Sequence, residues 1–180
     1  VWHFCPSLED VPALLRAGQQ VWVDLLRPAR EDIDWLRETF GFHELALSDL
    51  LNNGTRPKQE SYGDVLFTVF GAINLNPGEE ALDTINLNVF LSEQFVVSVH
   101  LQPLRPVRQL KETIEAQREL ITHGPDYLFY RMLDGVVDFY FDVFDGIDAR
   151  LDRLEERIFS RATEDVQAEI FAIKKSVAYL

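Results

Sequence analysis

The chain has 180 residues, 47% of them hydrophobic, and a formal net charge of −13. This length can enclose one well-packed core, and the apolar content is that of a folded protein. The charge argues against nucleic-acid binding, because a phosphate backbone has to be neutralised by Lys and Arg, and against docking on an anionic membrane surface. Divalent cations are the natural counterpart of such an acidic surface, although acidity can also serve solubility alone.

Several classes of site and protein are excluded by what the sequence lacks. The single cysteine, Cys5, allows no intramolecular disulfide, and the four histidines show no spacing typical of a zinc site. His100 falls in a predicted strand, where we expect a hydrogen-bonded core or surface histidine rather than a metal ligand. The sequence contains no glycine-rich phosphate loop, Gly-x-Ser-x-Gly or His-Glu-x-x-His motif, so we do not expect an enzyme.

The first half of the sequence alternates between helical and extended patterns. Ser7 is a suitable N-cap for the first helix, and Gly41 is a suitable C-cap for the second. A short helix that carries Asp49 follows, and the Asn-Asn-Gly sequence after it is typical of a helix end. The predicted elements, in order, are a helix over 8–17, a strand over 20–25, a helix over 29–40 and the short helix up to residues 52–54.

Three strands follow, over 64–74, 82–92 and 94–101. In the middle strand, large apolar residues alternate with Asn86 and Asn88, which predicts one buried face and one half-polar face. The last two strands have a tight connection, so we expect an antiparallel hairpin. Residues 56–60, Arg-Pro-Lys-Gln-Glu, are predicted to shape a turn in which Arg56 or Lys58 pairs with a carboxylate such as Glu60.

The second half is helical. A helix is predicted over 104–121, and a much longer one over 126–160 carries apolar residues at spacings of three and four. Residues 161–163 connect it to a final helix over 163–180, with Thr163 as N-cap, so the two form a helical hairpin. We therefore predict an α/β fold with a mixed β-sheet flanked by helices, followed by a long helical hairpin.

The long helix also carries an acidic stripe. Its members are spaced by three or four residues, so they lie on one face and repel one another by a few tenths of a kcal/mol per pair. The stripe is either a solvated face or a surface that gathers divalent cations, since carboxylate oxygens suit Mg²⁺. Its members are Asp134, Asp138, Asp142, Asp145, Asp148 and Asp152.

Four stretches together resemble the cytoplasmic domain of the CorA family of magnesium channels. The stretch from Leu45 to Phe70, with its Arg-Pro-Lys-x-Glu motif, is the most informative. Three others occur in the family's order: Val21–Leu25, Phe95–His100, and the long helix from Asp126 through Asp138-Phe139-Tyr140-Phe141. The similarity covers the chain from Val21 onward.

The resemblance implies a cytoplasmic regulatory domain that senses divalent cations, weakly binding Mg²⁺, with Co²⁺ or Zn²⁺ as other possible ions. It implies that Asp49 helps to hold a regulatory ion between neighbouring subunits of a homopentamer. Its partner acid would come from a stalk helix beyond Leu180. The family often has a second acid before this aspartate, where this chain has Ser48. Asp134 matches a further family acid near the interface, and Asp138 is the third metal-ligand candidate.

The chain begins without Met and stops inside an amphipathic pattern, so we expect a piece of a longer protein. We predict an α/β cytoplasmic domain over 1–125 and a truncated helical hairpin over 126–180. The sequence contains no run of about 20 apolar residues, so we expect the transmembrane part to be absent from it. The piece is expected to be soluble, and a monomer or weak oligomer. The full-length protein would lie at the cytoplasmic face of the inner membrane.

Three alternatives stay open. The related ZntB-type zinc transporters share the fold that the resemblance implies. A soluble, acidic, metal-dependent hydrolase would use some of the many carboxylates. A soluble scaffold would bind a partner helix through the stripe that includes Tyr140, Val143 and Ile147, without any dependence on metal.

Overall fold

A computed structural model of the protein describes residues 7–52, 54–74, 83–159 and 166–178. A 3-10 turn at Leu8–Asp10 opens the described part, and a second one, Arg118–His123, precedes the longest helix. The helices are α1 Val11–Arg16, α2 Arg30–Phe40, α3 Glu44–Asp49, α4 Arg105–Ala116, α5 Pro125–Phe159 and α6 Val166–Ala178. The strands are β1 Val21–Leu26, β2 Lys58–Tyr62, β3 Val65–Asn74, β4 Asp83–Leu91 and β5 Phe95–His100.

The five described strands form one mixed sheet in the order β1-β5-β4-β3-β2. β1 pairs with β5 in parallel, with Val21 opposite Phe95, and the remaining neighbours are antiparallel. The predicted hairpin of the last two strands, β4 and β5, is therefore confirmed. β2 and β1 lie at the two edges, and β4 lies at the centre. A mixed sheet flanked by helices and extended by a long helix confirms the predicted fold class.

Helices cover both faces of the sheet. On one face, α2 and α3 contribute Leu36, Leu47 and Leu50 to a core that also contains Phe67 and Phe90 of the sheet. α2 keeps this position because its ends are well capped. The backbone N–H of its N-cap residue donates to Asp32 Oδ2 at 2.7 Å. Gly41 closes the other end at φ 67°, a left-handed conformation that favours glycine.

On the other face, α4 and the first half of α5 pack against the sheet. Val107 and Leu110 of α4 and Leu128 and Met132 of α5 meet Val96 and its neighbours in a second core. α5 has 35 residues and is therefore about 52 Å long. Phe139 and Val143, near its middle, still lie in one apolar cluster with Ile73 of β3.

The second half of α5 packs against α6. Leu154 of α5 lies with Val166 and Ile173 of α6 in a third apolar cluster, and Arg157 forms an ion pair with Glu169. The predicted connection at 161–163, with Thr163 as N-cap, lies outside the described residues. Among the described helices, none is both long enough and apolar enough to cross a membrane.

The structure corrects the sequence-based elements at three places. Residues 58–62 form strand β2 at the sheet edge, whereas the sequence predicted a turn there. β4 is buried on both faces. Asn86 and Asn88 on one face are buried, and so are the apolar residues that alternate with them on the other face. The helix predicted over 104–121 ends at Ala116 and is followed by the 3-10 turn, where the backbone of Gln117 leaves the helical region.

Candidate divalent-cation site

The first site candidate, Asp49, is the last residue of α3. The helix is anchored because Ala46, Leu47 and Leu50 are fully buried under it. The backbone then turns sharply, with the Asn52 N–H donating to the Asp49 carbonyl at 3.1 Å. Burial of one face of this short helix thus fixes where the Asp49 side chain emerges.

Both carboxylate oxygens of Asp49 have partners within the chain. The Lys58 ammonium lies 2.8 Å from Oδ2, and the Thr55 hydroxyl donates to Oδ1 at 3.3 Å. The Asp49 side chain keeps 19% of its surface exposed. The carboxylate is therefore held in place by its own chain and is still reachable from solvent.

Lys58 contacts a second carboxylate at the same time. Its Nζ lies 2.9 Å from Glu60 Oε2, which also accepts a 2.8 Å hydrogen bond from the Tyr62 hydroxyl. Lys58, Glu60 and Tyr62 alternate along β2 and so share one face of the strand. The hydrogen bonds to Asp49 and then to Glu60 raise the pKa of Lys58 to about 12. The Lys58 and Tyr62 hydrogen bonds lower the pKa of Glu60. We call Asp49, Lys58 and Glu60 the lysine bridge.

Asn86, in the middle of β4, holds the loop between α3 and β2. Its side-chain amide is buried and donates to the carbonyls of Asn52 at 3.2 Å and of Thr55 at 3.0 Å. The sequence patterns did not indicate that Asn86 holds this loop. The signal that could have found it is an asparagine inside an otherwise apolar strand, since a buried amide requires hydrogen-bond partners.

The other two predicted ligands, Asp134 and Asp138, lie on α5, which packs on the opposite face of the sheet from α3. Both line a groove between α4 and α5 that also contains Arg105 and Arg131. The Tyr130 hydroxyl donates to Asp134 Oδ1 at 3.4 Å. Within one chain, the structure therefore does not bring either residue together with Asp49.

His100 belongs to a separate, buried polar cluster between β1, β5 and α4. Its Nε2 lies 3.2 Å from Asp24 Oδ1, and its Nδ1 lies 2.6 Å from the Gln102 carbonyl. Asp24 also accepts from the Ser98 hydroxyl and the Lys111 ammonium. Burial raises the pKa of Asp24, but the hydrogen bonds from His100, Lys111 and Ser98 outweigh it, and the net pKa is lowered. The sequence predicted a hydrogen-bonded core or surface histidine, and the structure places His100 in the core.

The donor set decides which ion these residues could hold. Across the described residues, no three His, Cys, Asp or Glu side chains converge as a closed metal cage would require. Mg²⁺ keeps most of its water and needs only one or two carboxylates. Asp49 offers one partly exposed carboxylate, which already forms an ion pair with the Lys58 ammonium. A single, partly exposed carboxylate can serve as one of the few protein ligands of a hydrated divalent ion.

A family profile and several named relatives indicate the same protein family. The profile described as "CorA-like Mg2+ transporter protein" matches residues 17–180. The divalent cation transporter CmaX of Pseudomonas aeruginosa is 33% identical over 141 residues, which make up 78% of this chain and 42% of that protein. The cobalt/magnesium transport protein CorA of Thermotoga maritima is 26% identical over 176 residues, 97% of this chain and 50% of that protein.

Solved structures share the fold. The soluble domain of CorA from Methanocaldococcus jannaschii has a TM-score of 0.76 at 20% identity, covering 88% of this chain and 63% of that one. The ZntB cytoplasmic domain from Vibrio parahaemolyticus has a TM-score of 0.65 at 17% identity, covering 88% and 64%. The chain spans about half the length of the curated relatives it matches. It belongs to the CorA family, the CorA-like Mg²⁺ transporter proteins.

Proposed function

We propose that this chain is the cytoplasmic regulatory domain of a CorA-type divalent-cation channel for Mg²⁺, and that Asp49 is its principal sensing residue. The observation that carries the proposal is the geometry of Asp49. Its carboxylate is fixed at the end of a helix that is buried on one face, remains partly exposed, and is already paired with a cation of its own chain. Such a carboxylate can exchange its partner for a divalent ion without any refolding of the domain.

The surface around Asp49 supports a position between subunits. Leu45 and Leu51 on either side of it are large apolar side chains that are 63% and 55% exposed. Contiguous exposed apolar patches that are rimmed by polar residues mark protein–protein contact surfaces, and these two leucines would form part of such a patch. In this proposal, a neighbouring copy covers Leu45 and Leu51 and supplies the second acid. Asp134 and Asp138, in the groove between α4 and α5, would contribute as further ligands near an interface.

Charge gives the proposed mechanism. Five copies that each carry a net charge of −13 repel one another when they are brought together in a homopentamer. Mg²⁺ held between Asp49 and a neighbouring acid offsets that repulsion and stabilises the closed assembly. When cytoplasmic Mg²⁺ falls, the sites empty and the assembly loosens. The ion can shift this equilibrium only by its differential affinity for the two states, so the site has to be weak.

The proposal places the domain at the cytoplasmic face of the inner membrane and gives it no enzymatic role. The proposal includes the division into an α/β unit over 1–125 and a hairpin over 126–180. It also includes that this piece alone is a monomer or associates weakly. Co²⁺ stays a possible ion because one relative is a cobalt/magnesium transport protein, and Zn²⁺ stays one because the ZntB cytoplasmic domain shares the fold. Phosphoester hydrolysis that depends on Mg²⁺ or Mn²⁺ would favour the hydrolase alternative instead. Partner binding that is independent of metal would favour the scaffold.

Protection from proteolysis tests the proposal. The complete gene product is digested at increasing Mg²⁺, as wild type, as Asp49→Asn and as Asp34→Asn. Asp34 is an exposed acid on α2, so its replacement removes the same charge away from the site. We expect Mg²⁺ to protect the wild type and Asp34→Asn alike, and to protect Asp49→Asn only at higher concentrations. Equal protection of all three proteins would remove Asp49 from the account.

A further inference from the structure

Lys58 is the cation of the lysine bridge, so its charge has the same sign as the ion. Its ammonium lies 2.8 Å from Asp49 Oδ2 and 2.9 Å from Glu60 Oε2. A divalent cation that contacts the Asp49 carboxylate would meet a fixed positive charge a few ångströms away. Two cations at such a distance repel each other, and both compete for the same oxygen lone pairs.

We propose that Lys58 is a built-in competitor that lowers the affinity of Asp49 for divalent cations and thereby sets the working range of the sensor. This inference rests on the proposed function and adds its regulation. In the ion-free state the ammonium pairs with both Asp49 and Glu60 and offsets one of their two negative charges. Binding of the ion requires the ammonium to withdraw from Asp49, and Glu60 retains it through the second contact.

The same distances indicate what removal of the ammonium would do. Asp49 Oδ2 and Glu60 Oε2 both lie within 3 Å of Lys58 Nζ, so removing the charge leaves two carboxylates close together. Paired, partly exposed carboxylates attract a hydrated divalent ion more strongly than one carboxylate beside an ammonium does. Lys58 therefore acts against the ion, whereas a merely structural lysine would help to place Asp49.

Other contacts keep Asp49 in position when Lys58 is changed. The Thr55 hydroxyl donates to its Oδ1, and Asn86 holds the loop through the carbonyls of Asn52 and Thr55. The α3 residues beneath Asp49 are buried. In Lys58→Met, the methionine keeps much of the apolar stem of Lys58, and the ammonium that is removed lies 5.8 Å from the centroid of the Phe67 ring. The variant is therefore expected to remove the charge and leave the carboxylate where it is.

Titration calorimetry of the complete gene product with MgCl₂, and separately with CoCl₂, tests the proposal at constant ionic strength. The proteins are the wild type, Lys58→Met, Lys58→Gln and Arg56→Met. Arg56 is an exposed cation two residues away, so its replacement changes the net charge equally and controls for the long-range field. We expect both Lys58 variants to bind about fivefold more tightly than Arg56→Met, a modest gain because the pair is partly exposed.

The outcomes separate the two proposals. Addition of Asp49→Asn to Lys58→Met should abolish the gain, because the gain depends on that carboxylate. If both Lys58 variants bind Mg²⁺ as weakly as Arg56→Met, or more weakly, Lys58 is not a competitor and this inference is wrong, although Asp49 can still be the sensor. If neither the wild type nor any Lys58 variant binds either ion, the sensing function itself fails, and the inference fails with it.

Discussion

Replacement of Asp24 by Asn should destabilise the domain strongly, because Asp24 is the common acceptor of a buried cluster. Its side chain is only 7% exposed and accepts from Ser98, His100 and Lys111. Hydrogen bonds to a charged group contribute about 1.5–3 kcal/mol each. Lys111 is half-exposed and can turn to solvent, but Ser98 and His100 are buried and cannot. We expect a loss of ~3 kcal/mol in the free energy of unfolding.

Urea denaturation at pH 7, followed by circular dichroism, measures this loss. A loss of that size corresponds to a melting temperature lower by about 6–12 °C for a chain of this length. Asp34→Asn is the matched control, since Asp34 also pairs with a basic residue but is half-exposed, and we expect it to change stability by less than ~0.5 kcal/mol. A loss below about 1 kcal/mol for Asp24→Asn would refute the reasoning that burial makes these hydrogen bonds strong.

The effect should also depend on pH in one direction. Because the folded state lowers the pKa of Asp24, its ionised form contributes stability above the unfolded pKa of about 3.9. That contribution is lost as the pH falls through the lower folded pKa. The difference in unfolding free energy between the wild type and Asp24→Asn should therefore shrink below about pH 4. A difference that grows on acidification below that pH would contradict the assignment.

Three further predictions follow from burial and from the family. Leu36→Ala, at a side chain with no exposed surface, should lower the free energy of unfolding in urea by about 2–5 kcal/mol. Leu45→Ala, at an exposed helix position, should lower it by less than about 0.5 kcal/mol. Similar losses in the two variants would contradict the packing. Tyr140→Phe, which removes a 2.8 Å hydrogen bond to the Gly71 carbonyl, should cost ~1 kcal/mol in the same assay, and no loss would mean that solvent replaces the bond. The source gene, read past the codon for Leu180, should continue into two apolar segments of about 20 residues, and an early stop codon would favour a soluble role.

Most of the fold could be predicted from the sequence because its patterns are local. The continuous apolar stripe of α5 and the capping signals of α2 depend on neighbours within a few residues. β2 was missed because Lys58–Tyr62 is polar throughout, and an edge strand can pair through its backbone with little apolar burial.

The burial of β4 could not be predicted from its alternating pattern. Asn86 and Asn88 suggest a solvated face, but helices cover both sides of the central strand. The Asn86 amide is buried because it serves two loop carbonyls contributed by residues more than 30 positions away. Contacts of that range depend on the tertiary fold, and no local pattern in one sequence specifies them.

The candidate site was predicted in part. The sequence indicated Asp49 through the resemblance, and it predicted a turn in which Arg56 or Lys58 pairs with a carboxylate such as Glu60. The structure shows the pair of Lys58 and Glu60, but on strand β2 and not in a turn. The contact between Lys58 and Asp49 was missed, since it spans a loop whose path is fixed by Thr55 and Asn86. The ligand roles of Asp49, Asp134 and Asp138 stay predictions.

Mg²⁺ flux tests the central claim most directly. The complete gene product is reconstituted in liposomes that contain a Mg²⁺-sensitive dye, and influx is measured at increasing Mg²⁺ on the domain side for the wild type, Asp49→Asn and Asp34→Asn. The account predicts that influx falls as this Mg²⁺ rises, and that only Asp49→Asn requires a higher concentration for half-inhibition. Absence of flux, or inhibition at the same concentration in all three proteins, would contradict a divalent-cation sensor at Asp49.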